Sequence, residues 1–412
     1  MLAKHFLENS YIPLDISMKE RCSGGMELIQ RPNDVANILN RIAGFPVTAI
    51  LGPRQCGKTT LARQLDYDHY FDLENPRDAA RLEHPQLALE ELRGLVVIDE
   101  IQRLPNLFPL MRYLVDTHSE QKYLILGSAS RDLLRQTSES LAGRIAYYHL
   151  GGLRLYDIGA EHLRTLWMRG GLPASYTPAS DEQSLLWREN YILTFLERDI
   201  PQLGIAIPAD TLRRFWTMLC HYHGQLLNYA ELARSFGISD MTARKYLDIL
   251  SGTFMVRVLQ PWHANVGKRL VKRPKIYLRD SGLFHALMQI ENRKQLSSHN
   301  KLGASWEGFA LECVCQSLNK MGHLLYFWRT HAGAELDLFW QHGGRNWGIE
   351  FKYADAPRLT KSMSIAIDDL ELAHVWVIYP GKSAYRLAEK ISVCPLQSIP
   401  PVWEYTACSM NS

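Results

Sequence analysis

Residues 52–59 constrain the fold more than any other stretch, because they read Gly-Pro-Arg-Gln-Cys-Gly-Lys-Thr. The two glycines let the backbone curl so that successive N–H groups point inward at an anion. An apolar, β-rich run at 47–51 precedes the stretch, and residues 60–65 have a helical composition. A strand, a glycine-rich loop and a helix in this order predict a phosphate-binding loop within an α/β domain.

The side chains of this loop have separate expected roles. In this motif, Lys58 reaches the β- and γ-phosphates of a nucleoside triphosphate, and the Thr59 hydroxyl binds Mg²⁺. We therefore expect ATP and Mg²⁺ as ligands. The expected nucleotide-binding residues are Gly52, Pro53, Arg54, Gln55, Cys56, Gly57, Lys58, Thr59, Thr60 and, from a later strand, Asp99.

A second apolar strand, residues 95–98, ends in two carboxylates. Asp99 suits the Mg²⁺-linked position of a nucleotide-binding strand, and Glu100 suits a general base that orients the attacking water. Binding alone does not require Glu100, whereas hydrolysis does. An apolar run that ends in Asp-Glu is common, but after a phosphate-binding loop it predicts a site of ATP hydrolysis.

Two further catalytic assignments follow from the next part of the chain. Residues 122–126 form an apolar strand followed by Gly-Ser-Ala-Ser, and we expect Ser128 to sense the γ-phosphate. A helix cap at Ser130 explains the serines equally well. Arg144 is the expected arginine finger, acting across a subunit interface, with Arg131 in reserve. A surface arginine in a salt bridge is the alternative for Arg144.

Length and composition indicate a globular protein of two or three domains. The chain has 412 residues, of which 46% are hydrophobic and 22% charged. No apolar run approaches the roughly 18 residues that a membrane helix needs, and the start of the chain has no secretory signal. Seven cysteines occur without a C-x-x-C pair. These features predict a cytoplasmic protein with reduced thiols and no membrane segment.

The middle of the chain has the pattern of a winged helix-turn-helix. Short helices are expected at 228–236 and 240–250, around Gly237, and a β-rich hairpin follows them. If the second helix enters a DNA major groove, it presents Thr242, Arg244 and Lys245 to the bases. The alternative is that the winged helix serves only as a docking or lid domain.

A basic strip follows this pattern. Residues 257–279 contain seven lysines and arginines and no acidic residue, although the net charge of the whole chain is only +3. Such a local strip in a nearly neutral chain predicts a directed anionic partner, for which we expect DNA. The expected DNA contacts from this strip are Lys268, Arg269, Lys272, Arg273 and Lys275.

The last part of the chain carries a second chemical pattern. Asp337 lies on one predicted strand, and Glu350 and Lys352 lie on one face of the return strand. Glu307 lies on the preceding helix. Two carboxylates here can hold Mg²⁺ while the lysine positions water, as in a PD-(D/E)xK nuclease. We therefore expect a nuclease-like fold with a possible second Mg²⁺ site. Cleavage is left open, because such folds also persist as binding modules and E-x-K is common on strands.

The combination of motifs resembles prokaryotic AAA-type ATPases whose C-terminal half is a domain of unknown function. The resemblance covers roughly 42–352. It rests on the segments 52–60, 98–105, 127–130, 140–144, 196–200, 274–283 and 334–337. It implies an α/β P-loop AAA+ domain followed by a helical and winged-helix part and an α/β restriction-nuclease-like domain. The expected ranges are 1–41 for an N-terminal extension, 42–160 for the ATPase, 161–220 for a helical connector, 221–290 for the winged helix and 295–412 for the nuclease-like domain.

Two functions remain open from the sequence. The first is an ATP-driven machine that translocates or remodels DNA, including branched DNA, with or without cutting it. If Arg144 is a finger, we expect this machine to assemble as a homo-oligomeric ring of six subunits. The second is a nucleotide-dependent switch that binds a protein partner and carries an inactive nuclease-like domain. Protein remodelling has less support, because no aromatic pore loop is evident.

Overall fold

The structure, a computed structural model, describes residues 28–128, 137, 139–262, 271–318 and 324–398. Ser130, Arg131, Lys268 and Arg269 lie outside these residues. We call 28–150 the first module, 151–300 the second module and 301–398 the third module.

The first module contains a five-stranded parallel sheet. Its strand order is β2-β3-β4-β1-β5, so that β4 separates the strand before the phosphate loop from the strand that ends in Asp99. Its elements are α1 (Pro32–Gly44), β1 (Val47–Leu51), α2 (Lys58–Ala62), β2 (His69–Asp72), α3 (Pro76–Arg81), α4 (Pro85–Leu89), β3 (Gly94–Asp99), a 3₁₀ turn (Ile101–Arg103), α5 (Leu107–Thr117), β4 (Gln121–Gly127) and β5 (Ile145–His149).

The central strands are apolar because helices cover both faces of the sheet. All five residues of β1 are buried. Helix α1 packs Val35 and Ile38 into the same core as Leu124 and Leu126 of β4. Helix α1, which begins before the expected start of the ATPase range at residue 42, therefore packs into the core of the first module.

The second module is mainly helical. Its elements are α6 (Leu155–Ile158), a 3₁₀ turn (Ala160–His162), α7 (Leu163–Arg169), α8 (Pro173–Tyr176), α9 (Asp181–Thr194), a π-helical turn (Phe195–Asp199), α10 (Ile200–Gln202), α11 (Ala209–His221), β6 (Gln225–Leu226), α12 (Tyr229–Phe236), α13 (Asp240–Gly252), β7 (Val256–Pro261), β8 (Lys275–Leu278), α14 (Ser281–Leu287) and α15 (Arg293–Ser298).

Helices α12 and α13 lie where the sequence predicts a pair of helices. Gly237 ends α12 in the left-handed region at φ 65°, and the Ser239 side chain caps α13 by accepting from the Thr242 N–H at 3.1 Å. Strands β7 and β8 then pair antiparallel.

The third module extends the strands of the second into one large sheet. Its elements are α16 (Leu302–Ser317), β9 (Tyr326–Arg329), β10 (Glu335–His342), β11 (Arg345–Phe351), α17 (Lys361–Asp369), β12 (Leu372–Tyr379), β13 (Tyr385–Ala388), β14 (Ile391–Pro395) and a 3₁₀ turn (Leu396–Ser398). The order across nine strands is β13-β14-β12-β11-β10-β9-β7-β8-β6. Strand β7 pairs in parallel with β9, which joins the two modules through backbone hydrogen bonds.

Two hydrophobic cores also cross the module boundaries. One contains Leu126 of the first module together with Phe195 and Trp216 of the second. The other packs Trp167 of the second module edge-on against Trp306 of the third, with ring centroids 5.3 Å apart. None of the helices in the described ranges combines the length and the apolar character that crossing a bilayer requires.

Candidate functional site

The phosphate-binding loop connects the end of β1 to α2. Glycine is required at both of its fixed positions: a Cβ on Gly52 would lie 2.2 Å from the Leu150 carbonyl oxygen, and Gly57 has a φ of 98°. Lys58 is buried and donates from Nζ to the carbonyl oxygens of Gly52 at 3.0 Å and Pro53 at 2.9 Å. The ammonium is therefore held against the loop that is expected to bind phosphate.

Thr59 and Asp99 lie together, as the sequence predicts. The Thr59 hydroxyl donates to Asp99 Oδ2 at 2.7 Å, and the Tyr70 hydroxyl donates to the same oxygen at 2.8 Å. Burial and the Asp99 charge raise the pKa of Tyr70, so its hydroxyl stays protonated and remains a donor. A hydroxyl beside a buried carboxylate fits Mg²⁺, which takes few protein ligands and keeps several waters.

Glu100 and Ser128 are connected by Gln102, a residue that no sequence motif singles out. Gln102 donates from Nε2 to Glu100 Oε2 and, at 3.1 Å, to Ser128 Oγ. Glu100 itself has a φ of 55°, in a region that is uncommon for residues other than glycine. The Gln102 amide group therefore contacts both the expected base, Glu100, and the expected γ-phosphate sensor, Ser128, next to the end of β3.

A cleft of about 720 Å³ opens beside the loop. Its volume lies in the range of small-molecule sites, about 300–1,000 Å³. One wall comes from helix α9, where the rings of Trp187 and Tyr191 stack with centroids 5.2 Å apart. Ile29, which precedes α1, and Glu100 also line the cleft. The loop and the cleft together have the volume and the lining for a nucleotide.

The second module reaches the phosphate loop through Asp199. Arg54 donates to Asp199 Oδ1 at 2.5 Å and to Gln202 Oε1 at 2.9 Å, and the Tyr191 hydroxyl donates to the Arg54 carbonyl at 3.3 Å. Burial raises the pKa of Asp199, while the Arg54 charge opposes that shift. The sequence alone indicates only a packing role for the segment 196–200.

Arg144 lies far from the loop of its own chain. Ile145 pairs with Val47 at the start of β1, whereas the loop follows Leu51 at the other end, about 13 Å away at 3.3 Å per residue. The Arg144 guanidinium forms a bidentate ion pair with Asp116, at 2.5 and 2.8 Å. Arg144 can therefore act as a finger only towards a neighbouring subunit.

The expected DNA-contacting residues divide into exposed and buried ones. Arg244, Lys245, Lys272 and Arg273 are exposed, and Thr242 is half-buried. The expectation for Lys275 is wrong, because its side chain is only 3% exposed and forms ion pairs with carboxylates of the third module.

The carboxylates of the third module form an acidic pocket, which we define as Glu307, Glu335, Asp337 and Glu350. Leu338 pairs with Ile349 across β10 and β11, which places Asp337 beside Glu350. Burial and the neighbouring Asp337 charge raise the pKa of Glu350. Lys352 Nζ contacts Glu350 Oε1 at 2.6 Å. Glu307, Asp337, Glu350 and Lys352, which the sequence singles out, lie around this one pocket.

The acidic pocket does not fit the expected second Mg²⁺ ion. Lys275 Nζ lies 3.1 Å from Asp337 Oδ1 and 3.4 Å from Glu307 Oε1, so an ammonium already stands between the expected ligands. Across the described parts of the chain, no cluster of three or more histidines, cysteines, aspartates or glutamates is arranged to hold a metal ion.

Comparison with known proteins places this site in a family. Residues 44–158 match the AAA domain, and residues 160–294 and 302–399 match two domains of unknown function, DUF8612 and DUF4143. The uncharacterized proteins Rv2008c of Mycobacterium tuberculosis and Mb2031c of Mycobacterium bovis are each 49% identical over 376 residues, which is 90% of this chain and 85% of theirs. The chain belongs to their family. The first module of this family member is an AAA domain, and its parallel sheet and phosphate loop agree with that match.

Solved structures also show likeness to this family member. The Walker-type ATPase Paby2304 of Pyrococcus abyssi aligns with 63% of this chain and 96% of its own, at 15% identity and a TM-score of 0.44. AMPPCP-bound DnaA of Aquifex aeolicus aligns with 53% of this chain and 85% of its own, at 14% identity and a TM-score of 0.25.

Proposed function

We propose that this protein is a Mg²⁺-dependent ATPase that acts on DNA as a homo-oligomer, by translocation or remodelling. One observation carries the ATPase part. The Thr59–Asp99 pair and the Glu100–Gln102–Ser128 chain lie at the same end of the sheet as the phosphate loop. This arrangement supports the assignment of Thr59 and Asp99 as metal ligands and of Glu100 as the base, and Thr59 and Glu100 line a cleft with the volume for a nucleotide.

The roles of the residues follow from this arrangement. The loop backbone and Lys58 bind the phosphates, which requires Lys58 to exchange the carbonyls of Gly52 and Pro53 for phosphate oxygens. Thr59 and Asp99 hold Mg²⁺, which supplies charge stabilisation to the phosphates when bound. Glu100 orients and deprotonates the attacking water, and Gln102 fixes the position of the Glu100 carboxylate.

Variants of the base and of the loop lysine test the ATPase. We expect Glu100→Gln to bind ATP normally and to lose turnover by at least 100-fold, because only proton transfer is removed. Lys58→Ala should lose nucleotide binding itself. Turnover and binding of a fluorescent ATP analogue are measured with Mg²⁺, and Glu91→Gln, an exposed carboxylate of the same module, serves as control. Normal hydrolysis by Glu100→Gln would show that the base is wrongly assigned.

The proposal of DNA as partner rests on the exposed cations of the second module. Arg244 and Lys245 lie on α13, and Lys272 and Arg273 precede β8. Arg244 stacks its guanidinium 3.9 Å from the ring centre of Tyr229, which limits its rotamers and holds the charge at the surface. Exposed, partly ordered cations are suited to phosphate contacts.

A salt titration tests this contact. The double variant Arg244→Ala/Lys245→Ala should weaken binding to linear and four-way-junction DNA. It should also reduce the slope of log K against log salt by about 0.9 for each phosphate that the variant no longer neutralises. Arg293→Ala/Lys294→Ala, an exposed pair on α15, is the matched control. Equal slopes for the wild-type protein and both variants would exclude α13 as a DNA contact.

A nucleotide-dependent switch that binds a protein partner is the second candidate, and the Arg54–Asp199 contact favours it. That contact links the phosphate loop directly to the second module, so a bound γ-phosphate competes with Asp199 for Arg54. ATP turnover decides between the two functions. Acceleration by DNA supports action on DNA, whereas basal turnover that no DNA changes supports the switch.

A further inference from the structure

The acidic pocket of the third module receives a side chain from the second module. Lys275 is the first residue of β8, where its backbone pairs with Leu259 of β7 and Leu226 of β6. Its side chain leaves this strand and enters the pocket, where it is only 3% exposed. The lysine therefore belongs to one module by its backbone and to another by its ammonium group.

The ammonium satisfies the oxygens that surround it. Nζ lies 3.1 Å from Asp337 Oδ1 and 3.4 Å from Glu307 Oε1, and it forms a third ion pair with Glu335. A lysine ammonium has three N–H donors, so three carboxylates use its full capacity. Burial by itself would lower the pKa of Lys275, but the surrounding Tyr277 and carboxylates raise it well above its usual value, so the group stays charged.

Two further cations contact carboxylates of the pocket. Glu350 pairs with Lys352 at 2.6 Å, and Glu335 pairs with Arg329 at 2.8 Å in addition to Lys275. The Tyr277 hydroxyl donates to Glu307 Oε1 at 2.7 Å. Glu350 Oε2 is buried without a hydrogen-bond partner within the described residues. Mg²⁺ needs several oxygens at about 2.0–2.1 Å, and the Lys275 ammonium already contacts those of Glu307, Glu335 and Asp337.

We propose that Lys275 is the permanent cation of the acidic pocket, so that the folded chain binds no divalent metal there and does not cut DNA. The pocket acts as an electrostatic link between the second and third modules. Removal of the ammonium leaves Glu307, Glu335 and Asp337 without their shared cation, and the pocket then takes up a divalent metal ion in its place.

Manganese binding to the nucleotide-free protein tests this proposal. We expect that Asp337→Asn does not change Mn²⁺ binding by the otherwise wild-type protein. Binding is measured by titration, as the loss of the electron paramagnetic resonance signal of free Mn²⁺. Lys275→Met should gain one Mn²⁺ per chain. Asp337→Asn in the Lys275→Met background should abolish that gain, which separates the pocket from any weak binding at Thr59 and Asp99.

The matched control is Lys272→Met, which removes an exposed cation three residues away and should gain no Mn²⁺. Asp337-dependent Mn²⁺ binding by the wild-type protein would overturn the proposal, and so would a Lys275→Met variant that folds but gains no site. If Lys275→Met does not fold, the comparison of wild type with Asp337→Asn decides. A difference in Mn²⁺ binding overturns the proposal, and identical titrations support it.

Discussion

Gln102 is the residue that connects the proposed base to its surroundings. Its amide donates to both Glu100 and Ser128, so it fixes the carboxylate relative to the end of β4. Glu100 lies on a left-handed backbone, from which a free side chain could adopt several rotamers. Gln102 is therefore a positioning residue, which acts on the reaction through Glu100.

We predict that Gln102→Ala slows ATP turnover by about 10- to 100-fold and leaves nucleotide affinity unchanged, because a misplaced base costs rate without costing ground-state binding. Steady-state kinetics give kcat and KM separately. Ser128→Ala removes one end of the contact and should have a smaller effect on kcat. A raised KM with normal kcat for Gln102→Ala would place this amide in substrate binding instead.

The sequence predicts the residues of this site better than their partners. The phosphate loop follows from one strand–loop–helix motif, and Asp99 and Glu100 follow from a second apolar strand that ends in two carboxylates. Gln102, Tyr70 and Asp199 depend on contacts between distant segments, which no local pattern records. Lys275 shows the same limit, because a run of cations does not reveal which of them faces acidic side chains from another module.

Helix α16 holds two strands of the second module through one carboxylate. Glu312 accepts from Arg257 of β7 at 2.9 Å and from Arg279, just after β8, at 3.0 and 2.7 Å. Glu312 is buried, and the side chains of Arg257 and Arg279 are 12% and 20% exposed. A buried carboxylate that two guanidiniums share stabilises the contact between elements only while all three groups remain.

We predict that Glu312→Gln destabilises the protein by about 3 kcal/mol, because it leaves two arginines without their shared counter-charge. Thermal unfolding should show a midpoint lowered by several degrees. Glu389→Gln, which alters an exposed carboxylate, should leave the midpoint unchanged. Equal thermal-unfolding midpoints for both variants would mean that water replaces the hydrogen bonds of Arg257 and Arg279 to Glu312.

The same contact predicts a pH dependence. Burial would raise the pKa of Glu312, but Arg257 and Arg279 lower it below the usual value. A carboxyl group with a lowered pKa stabilises the folded state above its unfolded pKa, about 4.3, and loses that contribution as pH falls through the folded value. The difference in midpoint between wild type and Glu312→Gln should therefore shrink below about pH 4. A constant difference down to about pH 3 would contradict this account.

At the level of elements, the sequence correctly places the phosphate-loop strand and helix, the two helices around Gly237, and the strands that carry Asp337 and Glu350. Each has a strong periodic or turn signal of its own. The sequence does not predict strand β8, because its four residues form a strand only by pairing with β6 and β7. Long-range pairing also decides that β7 continues into the sheet of the third module.

For the whole molecule, the position of Arg144 bears on assembly. Arg144 lies at the end of the sheet opposite the phosphate loop and is paired with Asp116. A structural role needs both partners of that ion pair, whereas a catalytic role across an interface needs only the arginine. Substitution of each partner alone therefore separates the two roles.

We predict that Arg144→Ala lowers ATP turnover at least 100-fold, with unchanged nucleotide affinity and assembly, whereas Asp116→Ala retains most of the activity. An equal loss of ATP turnover in the two variants would mean that Arg144 serves only to form a surface ion pair with Asp116. Mixing Arg144→Ala with Lys58→Ala gives an independent check. Active mixed assemblies should form, because one variant supplies the finger and the other an intact loop.

The parallel pairing of β7 with β9 has a practical consequence for dividing the chain. Gln260 and Pro261 pair with Tyr326 and Phe327, and Trp262 donates its N–H to the Phe327 carbonyl at 2.7 Å. A fragment that starts at 302 would expose this edge of β9, with apolar side chains and unpaired backbone groups, and such edges recruit other chains. Soluble expression of the C-terminal half therefore requires a fragment that keeps β6, β7 and β8, although the sequence suggests a cut before α16.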